Sequence, residues 1–243
     1  MGTPVKPYPT QDGTKKQQVS DMFDHISPKY DLLNRLLSFG IDISWRKKAI
    51  REVMKGQPSS ILDMATGTAD LAIAAGKENR AKEIVGIDLS EGMLQFGRVK
   101  VQKEGLSTII RLEQGDSENI HYPNETFDVA MVAFGVRNFE NLEKGLSELL
   151  RVLKPGGKLV VLEFSKPTVF PVKQLFGFYS RFILPTVGKL ISKDESAYAY
   201  LPESVQAFPE GQNFLNIMNK VGFRENQQNR LTFGISTLYI GQK

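Results

Sequence analysis

Between Val19 and Lys55 the apolar positions recur at three- and four-residue spacing: Met22, Phe23, Ile26, Tyr30, Leu33, Leu36 and Leu37. That period marks the buried stripe of helices, and Pro28 and Gly40 divide the run into short ones. From Ser60 the pattern changes. Short apolar runs predict strands over Ser60–Ala65, Glu83–Asp88, Thr108–Glu113, Phe127–Phe134 and Lys158–Phe164. Between them lie helical segments, Asp70–Gly76, Glu91–Glu104 and Leu142–Leu153. Strands alternating with helices imply βαβ units with right-handed crossovers, hence an α/β fold with a mostly parallel sheet covered on both faces. The cycle stops after Phe164. A segment rich in aromatic residues, prolines and lysines follows over residues 165–201, read as a helical insertion. Asn213–Val221 predicts a further helix, and Phe223–Arg230 and Phe233–Gly241 predict a closing hairpin.

The domain reading follows from this pattern. Residues 1–18 are polar and rich in Pro, Gly and Lys, and are expected to form a flexible arm. Residues 19–243 form one domain, with 19–56 as a helical lid and 165–201 as the insertion. A chain of 243 residues is long enough to bury one large core.

Composition removes several chemistries. There is no cysteine, which excludes disulfides, thiolate nucleophiles and cysteine metal sites. The two histidines, His25 and His121, cannot build a histidine-rich metal site, so no metal is expected. The net charge of +4 is mild, and no basic stripe marks a nucleic-acid partner. No apolar run approaches the ~18 residues of a membrane span. The N-terminus has no apolar signal core. A cytoplasmic protein is expected.

The strand ends carry the candidate chemistry. The first strand runs into Asp63-Met64-Ala65-Thr66-Gly67-Thr68-Ala69-Asp70. Small residues there let the backbone turn sharply and let a ligand lie against it. Asp88 ends the second strand, about 20 residues beyond Gly67, where an acid accepts hydrogen bonds from ribose hydroxyls. Gly115-Asp116-Ser117 follows the third strand, placed to bracket an adenine. In open α/β sheets ligands bind at these carboxyl ends. A dinucleotide site wants G-x-G-x-x-G. That pattern is absent, and Asp70 would sit badly beside phosphates. A ribose-bearing cation suits the carboxylates better, which favours S-adenosylmethionine. The plainer alternative is a tight turn at Gly67 and a helix cap at Asp88.

Two stretches are recognisable as a family pattern: Met22-Phe23-Asp24 through Tyr30-Asp31-Leu32-Leu33-Asn34 to Trp45-Arg46, and Arg151-Val152-Leu153-Lys154-Pro155-Gly156-Gly157 through Glu163-Phe164-Ser165-Lys166-Pro167. Phe134-Gly135-Val136-Arg137-Asn138 and Tyr200-Leu201-Pro202-Glu203-Ser204 add to them. With these the chain resembles the ubiquinone/menaquinone biosynthesis C-methyltransferases, a family of class I methyltransferases with a Rossmann-like fold. The resemblance runs from about residue 19 to 241. It implies a seven-stranded sheet whose last strand is antiparallel. It implies cofactor contacts at Thr68, Asp88, Asp116 and Ser117, alongside Asp63 and Gly67 from the first loop. It implies C-methylation of a prenylated quinol, first demethylmenaquinol to menaquinol. The alternatives are a polyprenyl methoxy-benzoquinol of ubiquinone synthesis or another small molecule. Asp42 stands where the family usually has histidine, Thr66 and Ala69 where it commonly has glycines, and Ala133 where it often has serine.

A quinol carbon is a poor nucleophile until a neighbouring phenol, with a pKa of about 10, loses its proton. Arg137 is the candidate for stabilising the phenolate, with Asn138 orienting it. Tyr30 can bond a quinol oxygen, and Asp31, Asp42 and His25 are candidate bases. Otherwise Arg137 pairs with a nearby carboxylate, and Tyr30 and Trp45 are packing residues. His121 is expected in a surface turn. The insertion carries Lys166, Lys173, Arg181, Lys189 and Lys193 among many apolar residues. That mixture suits transient, peripheral contact with the anionic inner face of a membrane. A helical subdomain or a homodimer contact is its other use.

Overall fold

The computed structural model describes residues 5–183 and 195–243. Lys189 and Lys193 lie outside them. Three helices come first, α1 (Lys15–Ile26), α2 (Tyr30–Leu37) and α3 (Ile41–Val53). Then β1 (Ser60–Met64), α4 (Asp70–Gly76), β2 (Glu83–Asp88), α5 (Glu91–Lys103), β3 (Ile110–Gln114), β4 (Phe127–Ala133), α6 (Leu142–Val152) and β5 (Leu153–Phe164) follow. The insertion contains α7 (Val172–Phe178), a wider helical turn over Tyr179–Ile183, and α8 (Glu195–Ala207). The chain closes with α9 (Gln212–Val221), β6 (Arg224–Leu231) and β7 (Ser236–Gln242).

The seven strands form one sheet in the order β3-β2-β1-β4-β5-β7-β6. β1 to β5 pair in parallel, and β7 runs antiparallel between β5 and β6. Successive side chains on a strand point to opposite faces, and the core divides accordingly. Ile61, Val129, Met131, Val160, Leu162 and Leu238 face one layer, with α3, α4 and α5. Leu62, Ala130, Val132, Leu159, Val161 and Tyr239 face the other, with α6 and α9. Burial on both faces explains why the inner strands read as apolar runs rather than alternating ones. β3 and β6 are the polar exceptions and lie at the two sheet edges.

Several boundaries differ from the sequence reading: β5 starts at Leu153 rather than Lys158, and β7 at Ser236 rather than Phe233. Two further differences bear on the site. α1 begins at Lys15, inside the expected flexible arm of residues 1–18. Thr14 caps it: its hydroxyl accepts from Gln17 N–H at 3.2 Å, and Gln17 Oε1 accepts from Thr14 N–H at 3.1 Å. This reciprocal box is a local helix-start signal that apolar spacing does not register. Upstream residues are tied to the helix too, through Gln18 to Tyr8 N–H (3.0 Å) and Gln11 carbonyl (2.9 Å). The second difference is α8, which runs past residue 201 to Ala207 and brings Ser204 inward.

α5 lies close against the loop after β1, because Gly97 has no side chain there. A Cβ at Gly97 would stand 2.8 Å from Leu112 Cδ1 and 3.3 Å from the Thr68 carbonyl carbon. Gly97→Ala is therefore expected to destabilise the fold by about 1–3 kcal/mol. Urea unfolding would measure it, and an unchanged midpoint would show that the helix has room to move.

Candidate active site

The loop from β1 to α4 makes three left-handed turns, at Ala65 (φ 56°), Gly67 (φ 56°) and Ala69 (φ 64°). Only glycine adopts this region freely, and an L-residue there costs roughly 1–2 kcal/mol. Neighbouring polar groups hold the shape. Thr66 donates its hydroxyl to Asp63 at 2.6 Å, and Ala72 N–H donates to the same carboxylate oxygen at 3.1 Å. Gly67 N–H donates to Asp88 at 2.8 Å. Burial pushes the Asp63 carboxyl up to about 7, against the opposing pull of the Thr66 and Ala72 hydrogen bonds.

Asp88 is the next strand end. Its second oxygen accepts from Ser90 N–H at 2.9 Å. Burial raises its pKa, with those backbone donors pulling the other way. Beyond β3, Asp116 accepts from Glu118 N–H at 2.9 Å. Lys16 of α1 reaches the same carboxylate at 2.6 Å and Glu118 at 3.4 Å. Beyond β4, Gly135 faces Ala65 so closely that a Cβ would fall 2.5 Å from the alanine's.

These ends surround a cleft, at the carboxyl ends of the strands where open α/β sheets bind their ligands. Six of the residues expected from sequence line it: Tyr30, Gly67, Asp88, Asp116, Ser117 and Asn138. Ala133 and Phe134 complete its inner wall. The structure puts four expected site residues elsewhere. Asp63 is 1% exposed and anchors the loop from behind. Thr68 is buried and donates to Asp31 at 2.6 Å. Asp31 also binds Lys100 at 2.8 Å, so the expected base is a brace between α2 and α5. Lys100 and Arg46 reach Asp70 as well, and their charges outweigh burial to lower its pKa.

Arg137 is the fourth. Its guanidinium pairs with Glu163 at 2.8 Å, where Glu163 is fully buried. It also donates to the Phe134 carbonyl and to Ser204 Oγ at 3.3 Å. It lies 5.5 Å over the Phe164 ring. Pairing with a nearby carboxylate was the alternative the sequence allowed, and the partner comes from β5. Asp42, the other candidate base, accepts from Ser38 at 2.6 Å and pairs with Arg46. His25 is exposed beside a separate groove with Tyr8 and Asp21, and His121 is exposed. Trp45 packs edge-on against Phe164 at 6.2 Å and lies 6.1 Å from Phe134.

Several residues that sequence reasoning missed shape the cleft. Lys15 donates to the carbonyls of Arg137 and Phe139, both at 3.0 Å, and so clamps the turn bearing Asn138. Burial, then Arg137, lowers its pKa to about 8. Tyr200 donates to Asn138 Oδ1 at 3.1 Å. Burial raises its pKa to about 12, so it keeps its proton. No sequence signal marks these partners, because they lie 62 to 124 residues apart along the chain.

The residues fit S-adenosylmethionine. Asp88, Asp116, Glu118 and Glu140 give the cleft wall a carboxylate excess for a cationic ligand, and the left-handed turn at Gly67 opens the backbone to it. Lys16 already occupies one oxygen of Asp116, so an adenine amine there shares the carboxylate or displaces the lysine.

A seven-stranded sheet with an antiparallel β7 and acidic cleft residues at successive strand ends defines a class I methyltransferase. A solved S-adenosylmethionine-dependent methyltransferase of Thermotoga maritima has the same fold, with a TM-score of 0.62, 18% identity and coverage of 92% of this chain and 99% of that one. The phosphoethanolamine N-methyltransferase 2 of Haemonchus contortus, solved with S-adenosyl-L-methionine, aligns with a TM-score of 0.55 and 15% identity over 76% of this chain and 48% of its own. The chain belongs to the ubiE/COQ5 methyltransferase family, whose pattern matches residues 11–243. A Bacteroides fragilis relative named demethylmenaquinone methyltransferase is 52% identical over 98% of this chain and 97% of its own length. A Geobacter sulfurreducens relative named ubiquinone/menaquinone biosynthesis C-methyltransferase UbiE is 44% identical over 94% and 90%.

Two stability outcomes follow from the buried acids. Between the ordinary carboxylate range and about 7, the folded chain keeps a proton on Asp63 that the unfolded chain has lost. That group makes stability fall as pH rises through the interval and adds no slope above it. The stability of wild type relative to Asp63→Asn should thus be greater at pH 5 than at pH 8, and an equal difference at both would refute the shift. Arg137→Ala leaves Glu163 buried and unpaired, an expected loss of about 3–5 kcal/mol. Adding Glu163→Gln should recover part of it in urea unfolding.

Proposed function

We propose that the chain methylates a ring carbon of a prenylated naphthoquinol, converting demethylmenaquinol to menaquinol. The observation that carries this reading is full-length similarity to the Bacteroides fragilis relative of that name, joined to a cleft with an acidic wall and an aromatic wall. The Geobacter relative's name favours a second reading, in which a methoxy-benzoquinol of ubiquinone synthesis is the acceptor. S-adenosylmethionine supplies an activated methyl on sulfur. The protein's task is then to align the acceptor carbon, exclude water and favour the quinolate over the quinol.

We assign acceptor contact to Tyr30 and Asn138, which face the cleft. Tyr200 occupies Asn138 Oδ1, which leaves the amide hydrogens to meet a quinol oxygen. Arg137 acts through them as a positioning residue, since Glu163 matches its charge and its guanidinium braces the Phe134 turn. Asp88, Asp116 and Ser117 are assigned to the cofactor. Thr68 supports its loop. The prenyl tail keeps the acceptor in a bilayer, so transient peripheral contact with a membrane belongs to this reading. No helix among the described residues is long and apolar enough to cross a membrane.

Tyr30→Phe and Asn138→Ala should each bind S-adenosylmethionine within about twofold of wild type but lose on the order of 10²-fold in kcat. Near-normal turnover would sink their assignment. Asp88→Ala should weaken cofactor affinity at least about tenfold by calorimetry, the worth of a charged hydrogen bond. Transfer of labelled methyl to demethylmenaquinol, set against the methoxy-benzoquinol, decides between the acceptors. No transfer to either would overturn the function.

A further inference from the structure

Exposed large apolar side chains on this protein are concentrated rather than scattered. Eleven of the fourteen among the described residues lie in two stretches, Leu32 to Ile43 and Val169 to Ile183. Tyr179 joins the stretches: its hydroxyl donates to the Leu37 carbonyl at 2.8 Å, and its ring lies 6.4 Å from Phe39. The result is one continuous surface formed by the α2–α3 corner and α7. Isolated exposed apolar residues need no explanation, but a contiguous set marks an interaction surface.

The corner is built to project its apolar tip. Phe39 is 80% exposed and left-handed (φ 50°), followed by left-handed Gly40 (φ 75°). A phenylalanine there carries strain that glycine would avoid. No residue of α7 is buried, and Leu175 and Phe178 stand out from it at 66% and 58% exposure. The charge around this surface has one sign. From Ser165 to Ile183 the chain carries Lys166, Lys173 and Arg181 and no carboxylate. Lys173, Arg181 and Arg35 are all exposed. On the corner side, Asp31 and Asp42 are already matched by Lys100 and Arg46. α3 starts at the corner and carries Trp45, which lies 6.1 Å from Phe134 of the cleft wall.

We propose that the α2–α3 corner and α7 together form a docking surface for an anionic lipid bilayer, with Phe39, Leu175 and Phe178 entering the acyl boundary and Lys173, Arg181 and Arg35 meeting headgroup phosphates. Projecting apolar tips ringed by cations fit a soft anionic interface, where each side chain finds its own depth. As a route for the acceptor, the surface rests on the prenylated-quinol reading. As a binding surface it can be tested without any quinol.

The test is flotation of the full chain with quinol-free vesicles, either phosphatidylcholine alone or phosphatidylcholine with phosphatidylglycerol, at low and high salt. Wild type should float with the anionic vesicles, less so as salt screens the cations. Phe39→Ser and Phe178→Ser should each lower the partition coefficient by about tenfold, and the double variant by about the product. Cofactor affinity and turnover of a water-soluble, prenyl-free quinol should stay at wild-type levels, which also shows that the variants fold. Absence of flotation at low salt, or equal flotation of the double variant, overturns the surface. So does a wild-type dimer, seen by light scattering, that the variants convert to monomer, because the face then belongs to a second copy. Vesicle binding that responds to the variants, without methylation of any quinol, supports the surface and sinks the reaction.

Discussion

One carboxylate ties the cofactor side of the sheet together. Asp88 accepts Gly67 N–H with one oxygen and Ser90 N–H with the other, so the ends of β1 and β2 share a single anchor. The left-handed turns at Ala65, Gly67 and Ala69 persist because such hydrogen bonds over-determine them. Asp63 does the same from behind the loop. Both acids are costly to ionise where they sit, as their raised pKa values record. For Asp88 the fold accepts that cost at the place where a cationic ligand gains from a negative wall.

The helical lid is held by buried apolar residues, Val19, Met22 and Ile26 with Met93 of α5, and Trp45, Ala49 and Val53 in the core, and it meets the strand ends through polar contacts. Asp24 accepts from Ser90 Oγ and Gly92 N–H, Lys16 holds Asp116, Lys15 holds two carbonyls beyond β4, and Asp31 holds Thr68. Each strand end from β1 to β4 thus has its own contact from α1 or α2. Lys16–Asp116 is a partly exposed ion pair of the kind that contributes little to global stability, but together these contacts set the position of the lid over the cleft.

Beneath the acceptor side, Phe134, Phe164 and Trp45 form an aromatic cluster. The two phenyl rings lie 4.5 Å apart, with Arg46 over one and Arg137 over the other. Both cations are matched, by Asp42 and by Glu163. The cluster therefore supplies shape and rigidity more than net charge, and the groups left to meet an acceptor are neutral donors, Tyr30 and Asn138. The family's usual histidine position, Asp42, serves here as the partner of Arg46 and Ser38.

Much of this was legible in one dimension. Apolar period and strand-end acids are local properties, so the strands, the crossover helices, the hairpin and the cleft residues Gly67, Asp88, Asp116 and Ser117 could be read from the chain, and the family pattern added Tyr30 and Asn138. The start of α1 was also local, in the Thr14–Gln17 capping box, but apolar spacing looks past polar signals. Only tertiary structure decided which polar groups meet. Lys16 finds Asp116 across 100 residues, and Arg137 finds Glu163 and Ser204 from different elements. Periodicity states which face of an element is buried. It does not state which charge from a distant element arrives there, because that depends on the docking of the lid and of α8 onto the finished sheet.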